Sequence, residues 1–249
     1  MFSALVTPWA GFWLAGLLVL WAALLFGGFL LGRVNAERSG RMPLWTRLTS
    51  SVVLVVAAWS WYLVSRGTTT SIFALLIAIG MTLGMLGDLL MARLLGITQY
   101  VLLGMGAFGL GHVAYITAGI FYGNHHGLAA AGTRYGMWAL WLVVGLIGWY
   151  FAVFRGQRHT ALHWVSLPYA LLLASTAGVA TGLALQDPAL WPMAVGAALF
   201  LLSDLILAAR LFNGRFFPLI EDAIWLTYGP GQMLIVYSVG SALNAMAAR

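Results

Sequence analysis

Long apolar runs separated by short polar punctuation set the pattern of this chain. A helix needs roughly 20 apolar residues to cross a bilayer. By that measure there are about eight spans, with approximate cores at 11–32, 48–65, 71–92, 100–122, 135–154, 162–184, 190–212 and 222–246. The runs do not alternate in the way of transmembrane β-strands. The pattern therefore predicts an all-α fold, a polytopic transmembrane helix bundle. Linkers such as "RGTTTS", "LGITQ" and "LQDPAL" are too short for a soluble domain, so 1–249 reads as a single integral membrane domain. The start "MFSALVTPWAGFWL" has no basic segment before its apolar stretch and reads as the lead into a first helix, not a cleaved signal.

Composition agrees. The chain is 62% hydrophobic and 7% charged, against about 25% charged in soluble domains. The net charge of +6 comes from twelve Arg, no Lys and six acidic residues. The arginines stand singly or in small groups between apolar runs, which is a topology signal and not a nucleic-acid face. Odd-numbered loops carry nine (Arg33, Arg38, Arg41, Arg47, Arg93, Arg155, Arg158, Arg210, Arg215); Arg66, Arg134 and Arg249 are on the other side. The positive-inside rule then puts the odd loops in the cytoplasm and both termini outside. The expected location is a bacterial inner membrane. There is no Cys, which excludes disulfides, thiolate metal sites and a Cys nucleophile.

One segment occurs twice. "GDLLMARLLG" at 87–96 pairs with "SDLILAARLFNG" at 203–214, and "GLGHVAYITAG" at 109–119 pairs with "GPGQMLIVYSVG" at 229–240. Spans three and four thus look like spans seven and eight. A shift of four spans preserves orientation, so a duplication would be a parallel 4+4 repeat. Convergence on common membrane-helix composition is the alternative.

The repeated segments carry the candidate chemistry. A carboxylate at the centre of a membrane helix costs about 2.5–3.5 kcal/mol on insertion scales, and such residues are usually functional. Asp88 and Asp204 are two of them in matching contexts. The bland alternative is pairing with Arg93 and Arg210, five and six residues further on. Gly80, Gly84 and Asp88 share one helical face, as do Gly196, Phe200, Asp204 and Ala208. The GxxxG spacing favours close helix packing, which turns Asp88 into the bundle. Glu221, Trp225, Tyr228 and Gln232 follow one face of span eight; Phe108, His112 and Tyr115 are neighbours on span four. Two carboxylates, an imidazole, a phenol and an amide could converge on one pocket in the inner half of the bilayer.

The other histidines add little. His125 and His126 read as solvated loop residues, and His159 and His163 lie near the cytoplasmic interface without visible co-ligands. Only His112 is deep in a helix, so no metal or cofactor is called for. Tyr122, Trp138, Trp141 and Trp149 read as interfacial or lipid-facing aromatics.

The motifs "GMLGDLLMA", "GLGHVAYI", "LFLLSDLILAARLF" and "LTYGPGQMLIVYS" resemble, in order and spacing, the pattern of the YhhN family of lysoplasmalogenase-like membrane proteins. "LPYALLLAS" in span six is a weaker match. The resemblance implies about eight spans and hydrolysis of the vinyl ether bond of a lysophospholipid substrate, giving a fatty aldehyde and a glycerophospho-base. It implies Asp88 and Asp204 as the catalytic pair, supported by His112, Tyr228 and Gln232. Arg93 and Arg210, with Ser203 and Tyr115, complete the candidate substrate-binding set. Ordinary positive-inside anchoring is the competing account of the two arginines. The chain departs from the family pattern at "YGPGQ", where "YYLAQ"-like residues are expected; Gly-Pro-Gly should loosen span eight beside Tyr228.

The residues suit that chemistry on their own terms. Vinyl ether hydrolysis starts with proton delivery to the β-carbon, which leaves an oxocarbenium ion that water attacks. One carboxyl must carry a proton and another must be a carboxylate, as in two-carboxylate glycosidases. A proton-coupled transporter using buried Asp and His is the alternative.

Overall fold

The structure is a computed structural model that describes residues 7–156 and 160–247. Arg158, His159 and Arg249 lie outside the described residues. Among the described residues there are eight long helices: α1 (Pro8–Leu31), α2 (Leu44–Ser65), α3 (Ser71–Met91), α4 (Tyr100–His125), α5 (Ala131–Trp149), α6 (Ala161–Ala184), α7 (Trp191–Asn213) and α8 (Ile220–Ala247). The expected boundaries hold to within a few residues. α5 runs on through a π-helical turn, Tyr150–Phe154, and a 3₁₀ turn, Pro188–Leu190, leads into α7.

Local chemistry marks the ends. Thr7 accepts from the Ala10 amide where α1 starts with a proline in its first turn. Thr160 and His163 form a reciprocal cap on α6. This fixes His163 as a helix cap, a role its sequence position did not suggest. α7 stops at Gly214, in the left-handed conformation at φ 60°, which a residue without Cβ adopts freely.

Seven of the helices, counting α5 together with its π turn, are long and apolar enough to cross a membrane; α8 is not among them. Yet α8 runs the full depth of the bundle. Its first turn meets Arg47 at the start of α2, Tyr237 reaches the Leu14 carbonyl of α1 at 2.7 Å, and Met246 sits beside Thr70, next to the first residue of α3. α8 packs against α1, α2, α3 and α7. Wrapped by protein and not by lipid, it tolerates Glu221, Asp222 and Gln232.

α8 also corrects one expectation. It is continuous through Pro230, and the flanking glycines are packing surfaces. A Cβ on Gly231 would meet the Gly196 carbonyl oxygen of α7 at 2.9 Å, and one on Gly229 would meet Leu25 of α1 at 2.8 Å. Close contact on both sides holds the segment; it is not loosened.

The contact pattern has a twofold logic. α3 packs on α4 as α7 packs on α8, and α2 touches α8 as α6 touches α4. A Cβ on Gly111 would meet the Gly80 carbonyl at 3.0 Å, the counterpart of the Gly231–Gly196 approach. These are the equivalences that a parallel four-helix repeat requires.

Two aromatic expectations fail. Tyr122 is buried, with its hydroxyl 3.4 Å from Asp187, and Trp149 is buried, donating to Ser166 at 2.8 Å. Each ring has a polar partner inside the bundle, so neither needs the membrane interface. Trp138 and Trp141 are more accessible but also donate, to Ser175 and Thr181.

Candidate functional site

Asp88 lies one turn before the end of α3, buried against α2 and α8. Ser51 of α2 donates to its Oδ2 at 2.6 Å. Tyr228 of α8 stands on the same cavity wall. Tyr228 is itself held in place: Gln232 Nε2 donates to its oxygen at 3.0 Å, and Tyr115 donates to Gln232 Oε1 at 3.0 Å. Gly84 makes this wire possible, since a Cβ there would lie 2.7 Å from Gln232 Nε2.

Asp204 occupies the matching place on α7 and is partly buried. Tyr169 of α6 donates to its Oδ2. Ser203 is 3.3 Å from Oδ1, but its hydroxyl also has the Phe200 carbonyl at 2.7 Å. Neither aspartate pairs with an arginine among the described residues. Arg93 stacks over Tyr100 at 4.2 Å and donates to its hydroxyl, while Arg210 pairs with Glu221 at 2.8 Å. The bland account of the aspartates, pairing with Arg93 and Arg210, therefore does not hold.

Both carboxylates open on one chamber of about 380 Å³. Its walls include Arg47, Arg93 and Arg210, together with Glu221, Tyr100, Trp225 and Tyr228. Glu221 bridges Arg210 and Arg47, the latter at 3.4 Å. The loop between α1 and α2 holds that glutamate in position. Ser39 donates to Glu221 Oε1 at 3.0 Å, and the Arg41 and Met42 amides donate to Asp222 at 2.6 and 3.0 Å.

A second, narrower cavity of about 60 Å³ adjoins the first. Its lining is nearly all apolar and includes Met105, Leu173, Leu205 and Phe212; Tyr169 and Ser166 are its polar exceptions beside Asp204. Asp204 lines both cavities, whereas Asp88 lines only the chamber. The site is thus a polar, arginine-rimmed room joined at Asp204 to an apolar slot.

The sequence-derived set divides accordingly. Asp88, Asp204, Tyr228, Arg93 and Arg210 line the chamber, and Tyr115 and Gln232 stand behind Tyr228. Ser203 touches Asp204 from its own helix. His112 does not reach the chamber: its Nδ1 lies 2.9 Å from Thr176 on α6, and its ring packs edge-on against Phe200 at 4.4 Å. Phe200 packs edge-on against Phe108, which lines the chamber. Ser51, Tyr169 and Arg47 were missed. Tyr169 lay in a motif noted for span six without a role, and Arg47 was counted only toward topology.

The YhhN family profile matches residues 42–239, from the start of α2 to near the end of α8. The chain belongs to the YhhN family. No curated protein and no solved structure matches it. The match takes in both aspartates and every residue that lines the chamber. No group of three or more His, Cys or carboxylate residues suited to a metal occurs among the described residues.

Proposed function

We propose that this YhhN-family protein is a membrane-embedded hydrolase of the vinyl ether bond in lysoplasmalogen-type lysophospholipids, working by acid–base catalysis through Asp88 and Asp204. The observation that carries the reading is the junction of two unlike cavities at a carboxylate. A single-chain vinyl ether lipid has the same order of parts: anionic head, glycerol, enol ether, alkyl chain. Arg47, Arg93 and Arg210 suit the phosphate, since guanidinium groups bind it through charge-assisted hydrogen bonds. The apolar slot suits the start of the chain, and the reactive bond then lies between, beside the two aspartates.

The test uses purified protein in detergent, given a lysoplasmalogen, with aldehyde release measured. Positioned general acids and bases contribute about 10²–10⁴-fold, so Asp88→Asn and Asp204→Asn should each lower release by that order without altering elution as a folded species. Treatment with EDTA should leave the rate unchanged. Full activity in either variant would sink the catalytic pair. No aldehyde from the wild type, with proton-coupled solute flux in sealed vesicles, would favour transport instead.

A further inference from the structure

The two aspartates are not interchangeable, and we infer that Asp204 is the acid that protonates the vinyl carbon while Asp88 is the carboxylate that directs water. The assignment rests on the vinyl ether reading above and on where each aspartate stands relative to the two cavities.

In the enol ether the β-carbon, which takes the proton, is on the chain side, and the α-carbon, which takes water, is on the glycerol side. With the head among the arginines and the chain in the slot, the β-carbon is nearer the slot. Asp204 lines the slot as well as the chamber; Asp88 lines the chamber alone. Water belongs to the polar side, with Asp88.

The steps balance. Asp204 gives its proton to the β-carbon as the π pair forms the new C–H bond, and the ether oxygen lone pair makes the oxocarbenium ion. Asp88 takes a proton from water as its oxygen bonds to the α-carbon, which yields a hemiacetal. The hemiacetal hydroxyl returns a proton to Asp204, the bond from the α-carbon to the glycerol oxygen breaks, and Asp88 protonates the leaving oxygen. Both aspartates are restored.

A D₂O experiment separates the roles. The probe is 1-alkenyl lysophosphatidylethanolamine with full-length protein in detergent. The readouts are aldehyde, deuterium on the vinyl β-carbon of recovered lipid, and the cyclic acetal made when the free glycerol hydroxyl captures the oxocarbenium ion. Asp88→Asn should lose aldehyde yet still give deuterated lipid or cyclic acetal; Asp204→Asn should give none of the three. Milder variants guard against misfolding. Tyr228→Phe should raise the ratio of exchange to aldehyde several-fold, whereas Tyr169→Phe should lower both together. Exchange by Asp204→Asn, or silence from both asparagine variants, overturns the division of roles while wild-type aldehyde release keeps the hydrolase reading. A wild type that releases no aldehyde overturns both.

Discussion

The α3–α4 half and the α7–α8 half share a backbone plan and differ in what they put on it. Gly80 meets Gly111 in one as Gly196 meets Gly231 in the other, and an aspartate stands eight residues after the first glycine of each pair. The side chains around it then diverge. Tyr228 of α8 corresponds in the repeat to Phe108 of α4, and Gln232 to His112. Asp88 therefore shares its chamber with the Tyr228 phenol at the end of the α8 wire, while Asp204 takes its phenol from Tyr169 on α6. The two matching helix pairs supply two carboxylates to one chamber. Unlike neighbours leave one of them in the polar chamber alone and set the other at an apolar edge, the asymmetry on which the proposed acid–base chemistry draws.

The largest expected effect concerns whether the halves act as a unit. Groups that serve one transition state are non-additive when removed. The double variant Asp88→Asn/Asp204→Asn should release aldehyde no more slowly than the worse single variant, within about threefold. Losses that multiply, measured under single-turnover conditions, would make the two aspartates independent and break the comparison.

Next comes the glycine scaffold. A Cβ on Gly196 would meet the Gly231 carbonyl at 2.6 Å and the Ile235 amide nitrogen at 3.0 Å, whereas a Cβ on Gly111 meets the Gly80 carbonyl at 3.0 Å. Backbone atoms cannot swing aside, and overpacking of this kind costs about 1–3 kcal/mol. Thermal unfolding in detergent should show Gly196→Ala as the more damaging of the two. Gly16→Ala, which meets nothing within 4 Å, should be nearly silent. Equal loss at positions 196 and 111 would mean that the two interfaces are equally tight. The rim should respond more gently. Arg210→Ala removes one of the proposed phosphate donors and leaves Glu221 to Arg47, so KM for the lysolipid should rise about tenfold, about 1.4 kcal/mol, with kcat little changed. A fall in kcat at constant KM would argue against a role in binding.

These expectations also mark how far the sequence was legible. Eight helices and two central aspartates stood out because long apolar runs and isolated charges are costly to place anywhere else. The partners of the aspartates did not stand out. A serine in a membrane helix commonly bonds its own helix, as Ser50 does to the Arg47 carbonyl, and nothing in "TSSVV" distinguishes Ser51, which reaches Asp88 instead. Arg47 looked like one more topology charge until α8 brought Glu221 against it. α8 itself was read as a membrane span from its length, but that it lies among helices and not lipid depends on packing that no local pattern encodes. The Gly-Pro-Gly within it was misread for the same reason, since glycine signals flexibility only where nothing is packed against it.

The smallest expected effect tests the most tempting sequence inference, that His112 is catalytic because it matches Gln232. The two positions are equivalent in the repeat but not in the site. Gln232 has both ends engaged, accepting from Tyr115 and donating to Tyr228, which lines the chamber with Asp88. His112 touches Thr176, whose hydroxyl also has the Leu172 carbonyl at 3.0 Å, so the threonine keeps a partner if the imidazole goes. His112→Leu should therefore change aldehyde release by less than threefold and stability by about 1 kcal/mol, the worth of one hydrogen bond. Gln232→Leu frees the Tyr228 phenol to turn and should cost about tenfold in kcat at unchanged KM. If His112→Leu proves the more damaging, the imidazole reaches the chemistry by a route other than the α8 wire, and the two halves are more alike in function than their side chains indicate.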